Sequence, residues 1–539
     1  MDENRTNHES RRPARKRRRW QYYIPTAIML VLALVCVVTI TFAVTAVLRS
    51  YSSDTPNPSD NLLGSIDNSL PTDPSTPVDP SQPQPSQPDT TPTEGGDKIT
   101  INTLPTTKPS EPSVPTEPVE DKTLAELIAE ADFIAAGYDY DKAISLLKNS
   151  VYFETDMSVK DKVAEYTTKK SKLQVYSAPS TVTHIFFHSL IVDTDRAFDG
   201  DEDQDGYNMY MTTIDEFKAI LQAMYDRGYV LISPYDLAYE VTNADGTTKF
   251  VYGEIKLPAG KKPFLMSQDD VNYYSYMIGT GSGKNETPIF NDSKNDGFAS
   301  RIVIDPETGY PVCEYTDANG VTHYGDYDLV PVLETFIQEH PDFSYRGARA
   351  ILGMTGYEGV FGYRTKPSYE PQLNALHDAG KYPYTYAEEV QMAKDVAQCL
   401  RDHGWILASH SYGHPAYGNI SADRVETDSD KWENTVETII GETDVILFPH
   451  GSDIHNWRPY TFDNAKFSAL YEDGYRYFFN VDSNTYWNQL GANYFRGGRR
   501  NLDGFRMYHN PERLEDLFDV EDVFDDARPL PVPSVGNGM

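Results

Sequence analysis

At 539 residues the chain is too long for one ordinary domain and implies two to four units. A net charge of −34 and a pI near 4.6 exclude an electrostatic nucleic-acid binder and a protein held on anionic lipid by its surface charge. Three cysteines, one of them Cys36 in an apolar run, leave only Cys313 and Cys399 and exclude a disulfide framework.

The first twenty residues carry a charge of +5, leaving −39 on the rest of the −34 chain. Residues 24–48 follow as 25 uncharged, mostly apolar positions, long enough to span a bilayer and too long for the core of a cleaved signal. Seven Lys/Arg in 11–19 favour a cytoplasmic tail over 1–23, so the spacing predicts a single-pass anchor with everything beyond it extracellular. Residues 51–120 hold 15 of the 36 prolines among Ser, Thr, Asp and Gln, the composition of a disordered tether. Residues 121–175 return to helical periodicity, with GYDY as a break between two helices, and resemble one tetratricopeptide-type hairpin in a small helical region without chemistry.

From Thr181 short apolar runs alternate with amphipathic ones. THIFFHSLIV, GYVLIS, KKPFLMS, ARAILGM, GWILAS, VILFPH and YRYFFNV read as strands. IDEFKAILQAMYDRG, LVPVLETFIQEH, AEEVQMAKDVAQCLRDHG and FSALYEDG read as helices between them, an α/β pattern with a parallel sheet or barrel. A Gly- and Asp-rich block at about 279–323 reads as an inserted hairpin, and 518–539 as a disordered acidic tail. DGDEDQDG at 199–206 resembles the opening of a calcium loop, but Thr212 stands where the bidentate Glu belongs, so a solvated acidic loop is the better reading.

Two stretches carry chemistry. KKPFLMS runs into Gln268, Asp269 and Asp270, and adjacent carboxylates repel unless a cation compensates them. LASHSYGHP places His410 and His414 four residues apart, close enough to grip one ion. Two imidazoles and one carboxylate make the three-ligand pattern of a catalytic zinc with an open position. If Asp270 joins His410 and His414 on a divalent metal, Asp269 is left ionised as a base for a water whose pKa the metal lowers. Both stretches end expected strands, where α/β barrels build their sites.

Together these motifs resemble the polysaccharide deacetylase family, also called the NodB-homology domain or carbohydrate esterase family four, over about 181–517. The first motif is Ser267-Gln268-Asp269-Asp270, with Gln268 where Phe is usual; the second, His410-Ser411-Tyr412-Gly413-His414, is complete; the third is Phe448-Pro449-His450-Gly451. The opening Phe187-His188-Ser189 also fits, with His188 either lining the site or a satisfied polar residue. The resemblance implies a distorted (β/α)7-type barrel that removes acetyl groups from N-acetylated sugars. It makes Asp269 the general base, Asp270, His410 and His414 the metal ligands, and Pro449, His450 and Gly451 substrate contacts. Backbone N–H groups near the third motif would help hold the oxyanion. The Arg that usually precedes the third motif and steadies the base is Leu447 here, and Arg499 or Arg500 are the substitutes in reach. The late motif supplies the general acid; Met507-Tyr508-His509 fits it loosely, with His450 and His455 as rivals.

The expectation is a membrane-anchored, extracellular, metal-dependent deacetylase acting on an amino-sugar polysaccharide such as peptidoglycan or an exopolysaccharide. Its alternatives are a non-catalytic carbohydrate-binding barrel and an O-acetyl esterase, for which a weak acid suffices. No HExxH occurs, which disfavours a zinc protease.

Overall fold

The computed structural model describes residues 122–278, 295–482 and 484–534. The basic tail 1–23, the anchor 24–48 and the linker 51–120 lie outside the described residues, as do 279–294 of the insertion and the last five residues. Among the described residues no helix is long and apolar enough to cross a membrane.

The small helical region has three helices rather than two: α1 (Leu124–Ala136), α2 (Tyr140–Lys148) and α3 (Met157–Lys170). Thr123 and Glu126 cap α1 reciprocally, and Asp139 caps α2. Leu127, Ala131, Ala143, Leu147, Val159 and Tyr166 meet in a separate apolar core. Tyr138 at the α1–α2 break donates to the Asp342 carbonyl at 2.8 Å, which ties the unit to the segment preceding a barrel strand.

The strands are β1 (Thr183–Phe187), β2 (Tyr229–Leu231), β3 (Lys262–Gln268), β4 (Ile351–Met354), β5 (Ile406–Ser409), β6 (Val445–Leu447), β7 (Tyr477–Val481) and β8 (Phe495–Asn501). Seven of them close a parallel ring in the order β1-β3-β4-β5-β6-β7-β8 and back to β1. The eighth, β2, pairs with the first half of β3 on the side where β4 takes the second half. All seven expected strands are present, yet the ring differs by one member. The expected GYVLIS strand, β2, is the side branch, and β8 supplies the closure.

Alternation along β3 divides the layers. Phe264 and Met266 face the outer core under the helices, while Leu265 joins Ile351, Ala408, Val445, Leu447, Phe479 and Phe495 inside the ring. The outer layer includes α4 (Ile214–Asp226), α5 (Leu329–Glu339), α6 (Tyr386–Asp402), α7 (Ala422–Trp432) and α8 (Ala465–Glu472). The insertion is a three-stranded antiparallel sheet of Arg301–Ile304, Pro311–Thr316 and Thr322–Gly325, one strand more than a hairpin.

The tail expected to be disordered from 518 is packed over its described part. Phe518 and Val523 are buried, and the Arg528 guanidinium grips Glu216 of α4 at 2.5 and 2.6 Å, both side chains fully enclosed. Acidic composition predicted solvation; the apolar residues spaced through it and one arginine decide otherwise.

Candidate active site

The chemistry-bearing side chains meet at the C-terminal ends of the ring strands. Asp269 and Asp270 leave β3, His410 leaves β5, the 448–451 turn leaves β6, His188 follows β1, and Arg499 stands inside on β8. The Asp269 N–H donates to the Phe187 carbonyl, and the Val271 N–H to the Gly353 carbonyl. Between these anchors Asp270 adopts a left-handed φ of 58°, so the two carboxylates diverge.

Asp269 turns to Arg499, whose two terminal nitrogens reach its oxygens at 2.5 and 2.9 Å. Burial pushes this carboxyl toward its neutral form, but the Arg499 charge and hydrogen bonds, aided by His410, outweigh it and hold the group well below the usual carboxylate range. Arg499 therefore fills the role left open by Leu447. Arg500, the other substitute, points outward to Asp516 and Thr183. Below this pair, the Ser267 hydroxyl takes a bond from Arg499 at 3.2 Å and lies 3.0 Å from the His184 Nε2.

Asp270 turns the other way. Its Oδ1 accepts from the Tyr274 hydroxyl at 2.7 Å, while its buried Oδ2 has no hydrogen-bond partner. Burial raises its pKa, and His414 with His410 more than reverse that. His410 donates its Nδ1–H to the Leu447 carbonyl at 2.7 Å, which leaves the Nε2 lone pair facing inward. That Nε2 lies 3.2 Å from the Nε2 of His414, whose ring is held neutral, with its pKa lowered to about 3 by burial against the opposing pull of Asp270. The His414 Nε2 is 3.9 Å from the orphaned Asp270 Oδ2, and the three donors lie within 4.8 Å of one another. The inward Nε2 of His410, the Nε2 of His414 and an unpartnered carboxylate oxygen this close to one another call for a cation or a shared proton among them. Nitrogens bound at ~2.0–2.1 Å to one tetrahedral ion sit about 3.3 Å apart, so the spacing fits zinc or a similar divalent metal. Asp428 fixes the loop that carries His414, accepting from the N–H groups of Tyr412 and Gly413 and from the Tyr417 hydroxyl.

The third motif reaches the same place. His450, with φ 54°, lies 3.2 Å through its Nε2 from the His414 carbonyl, and their rings are 4.4 Å apart. Gly451 also has positive φ, and a Cβ there would sit 2.3 Å from that of Val481, so only glycine fits. The N–H groups of Gly451 and Ser452 are committed to the Phe448 and Pro449 carbonyls, which removes these two from the expected oxyanion donors.

Gln268, the departure in the first motif, faces outward and donates to both oxygens of buried Asp328. His509 does not join the site. Its Nε2–H points at the carbonyls of Val532 and Pro533 at 3.0 and 3.2 Å, in the packed tail whose order the sequence reading missed. His455 likewise donates its Nδ1–H to the Pro459 carbonyl. Of the remaining imidazoles, His450 lies with its ring against His414, and the half-buried His188 follows β1 beside Gln268, whose amide donates to the His188 carbonyl at 3.3 Å. The His188 Nδ1–H donates to the Tyr210 carbonyl at 3.1 Å. The acidic loop at 199–206 gathers Asp201 and Asp203 with Asp296 from within the insertion, and burial raises Asp203 to about 6 and Asp296 to about 7.

No family model matches the chain, and no curated protein matches it. Among solved structures it is similar to the Streptococcus pyogenes deacetylase PplD in complex with acetate, at 13% identity and TM-score 0.30, over 62% of this chain and 97% of that one. It is also similar to a Bacillus anthracis protein assigned as a polysaccharide deacetylase, at 10% identity and TM-score 0.28, over 61% of this chain and 65% of the other. Superpositions this loose carry no weight for the chemistry, which stands on the side chains themselves. The resemblance in the motifs extends to architecture, since the closed parallel seven-strand ring is the barrel that the NodB-homology pattern implies.

Proposed function

We propose that this chain is a membrane-anchored, metal-dependent deacetylase that removes N-acetyl groups from an amino-sugar polysaccharide outside the cell. One observation carries the reading: an orphaned Asp270 oxygen and two inward imidazole nitrogens converge beside a carboxylate kept ionised by a buried arginine. Asp270, His410 and His414 would hold the metal, which supplies Lewis acidity toward the acetyl carbonyl and toward water.

The remaining steps belong to the chain's own groups. Asp269 accepts a proton from the attacking water; each of its oxygens keeps a lone pair beyond the one given to Arg499. Water adds to the acetyl carbon, the C–N bond breaks, and the leaving nitrogen takes a proton from the ring of His188, giving acetate and a free amine. The Tyr210 carbonyl occupies the Nδ1–H of His188, so Nε2 is the atom from which the proton would be delivered.

A non-catalytic barrel is the alternative, and the Arg499–Asp269 pair speaks for catalysis because it keeps a carboxylate ionised beside the three converging donors. Topology supports the extracellular setting, since the basic tail, the uncharged span and the proline-rich tether suit an enzyme working on surface glycan such as peptidoglycan. The test is metal analysis with acetate release from N- and O-acetylated glycan oligomers. Asp269→Asn is expected to keep the parent's metal content and lose acetate release; release at the parent rate would remove Asp269 as the base. Parent activity confined to O-acetylated substrates would replace the amide reading with the ester one.

A further inference from the structure

The described tryptophans divide sharply. Trp405 and Trp432 are core residues whose indole N–H groups are satisfied by Glu334 and the Met354 carbonyl. Trp457 is 41% exposed, and it sits on the loop that begins with the Pro449–Gly451 turn facing His414. A mobile indole in water would need no support, yet this one is fixed through its backbone N–H and against Trp487.

Asp453, whose side chain is enclosed, takes four hydrogen bonds that set the loop. Its Oδ2 accepts from the N–H groups of Trp457 at 2.6 Å and His455 at 3.2 Å, and its Oδ1 from the Tyr460 hydroxyl at 2.5 Å and Arg496 at 3.1 Å. Asn456 and Trp457 are consecutive non-glycine residues in the left-handed region, at φ 48° and 66°, a costly backbone that the Asp453 bonds hold in place. Behind the indole runs a stack. Trp457 packs edge-on at 4.9 Å against Trp487, whose ring lies 4.7 Å from the Arg496 guanidinium, which in turn lies 4.1 Å from the Tyr460 ring. Neighbouring Tyr486 is 46% exposed.

We propose that Trp457, braced by Trp487 and Arg496, is a stacking subsite for a pyranose ring of the polymer, outside the catalytic centre and continuous with it through the 449–457 loop. An apolar C–H face of a sugar covers an indole of this size, and the polar loop around it offers hydroxyl partners. The patch is too small for a protein: one or two aromatic rings bury on the order of 150–250 Å² each, against about 800 Å² per partner in a stable interface. The identity of the polymer rests on the deacetylase reading; the subsite itself does not.

The test compares the full chain with Trp457→Ala and Trp457→Phe on a dimer and a hexamer of β-1,4-linked N-acetylglucosamine. The expected result is a hexamer-to-dimer ratio of kcat/KM reduced at least fivefold in Trp457→Ala, carried by KM, and largely restored in Trp457→Phe. An unchanged ratio overturns the proposal. A second arm measures hexamer binding to the Asp269→Asn chain with and without Trp457→Ala, at matched melting temperatures. If no variant releases acetate but binding falls with Trp457→Ala, the deacetylase reading fails and the subsite stands. Equal binding in the two chains sinks the subsite whatever the activity.

Discussion

Arg499→Met separates the role of the Arg499–Asp269 pair from that of the barrel around it. In the parent both side chains are buried, and Arg499 meets both carboxylate oxygens. Two unit charges about 4 Å apart attract by ~4 kcal/mol at an effective dielectric near 20, and breaking such a buried pair typically costs about 3–5 kcal/mol. The variant leaves Asp269 with the desolvation that already works to raise its pKa and without the cation that overrides it. The carboxyl then has two outcomes: it stays ionised at that cost, or it takes up a proton and ceases to be a base. Either way kcat falls, by roughly 10²-fold if the base is merely misaligned and by more if it is neutral.

The sign with pH follows from linkage. In the parent the folded pKa of Asp269 lies below its unfolded value near 3.9, so its contribution is complete above about pH 4 and is lost as pH falls through the folded value. In Arg499→Met the folded pKa moves above the unfolded one, and the same carboxyl opposes folding increasingly as pH rises from about 4. Urea unfolding of chelator-treated parent and variant from pH 3 to 8 should show a deficit already present at the acid end, because the parent's folded pKa lies below that window, and growing as pH rises through the variant's raised pKa. Acetate release with metal restored reports kcat. Arg500→Met is the control, because its guanidinium serves Asp516 and Thr183 away from the base. A deficit that does not change with pH, or a loss of kcat in Arg500→Met equal to that in Arg499→Met, would refute the reasoning.

Three further outcomes are expected. His188→Ala should lower kcat by ~10²–10⁴-fold with metal content intact, the range for loss of a general acid, while His509→Ala, whose ring serves the tail, should leave kcat at the parent value; the reverse pattern would restore the late-motif histidine. In the metal-free protein the depressed His414 pKa means that the unfolded chain binds the extra proton, so stability should fall as pH is lowered from about 6.5 toward 3, and a flat profile over that window would contradict a neutral, buried His414. Arg528→Met should destabilise the fold by about 3–5 kcal/mol in urea unfolding, because it strands Glu216 without its partner; a disordered tail would give no measurable change.

The convergence of Asp270, His410 and His414 was legible in the sequence because its members are local signals at strand ends: adjacent Asp269 and Asp270 after an apolar run, and two histidines at a spacing that one turn of chain can bring together. The strands were legible for the same reason, except β8. FRGGRRN has neither an apolar run nor alternation, since its burial comes from the ring: Arg499 is neutralised by a residue 230 positions earlier, and the 482–490 segment lies so close over β8 that a Cβ at Gly498 would meet that of Asp482 at 2.5 Å. His509 is drawn away from the cluster for the complementary reason. His509 sat at the expected late position, but what decides its role is the tail folding back over it, and Val532 and Pro533 give no local sign of that. His188 had the right neighbours in sequence, yet only the pairing of β1 with β3 sets its backbone beside Gln268, next to Asp269. A partner fixed by ring closure leaves no spacing to read. The same register that closes the barrel thus brings the arginine to the base, and loss of either should be felt as loss of the other.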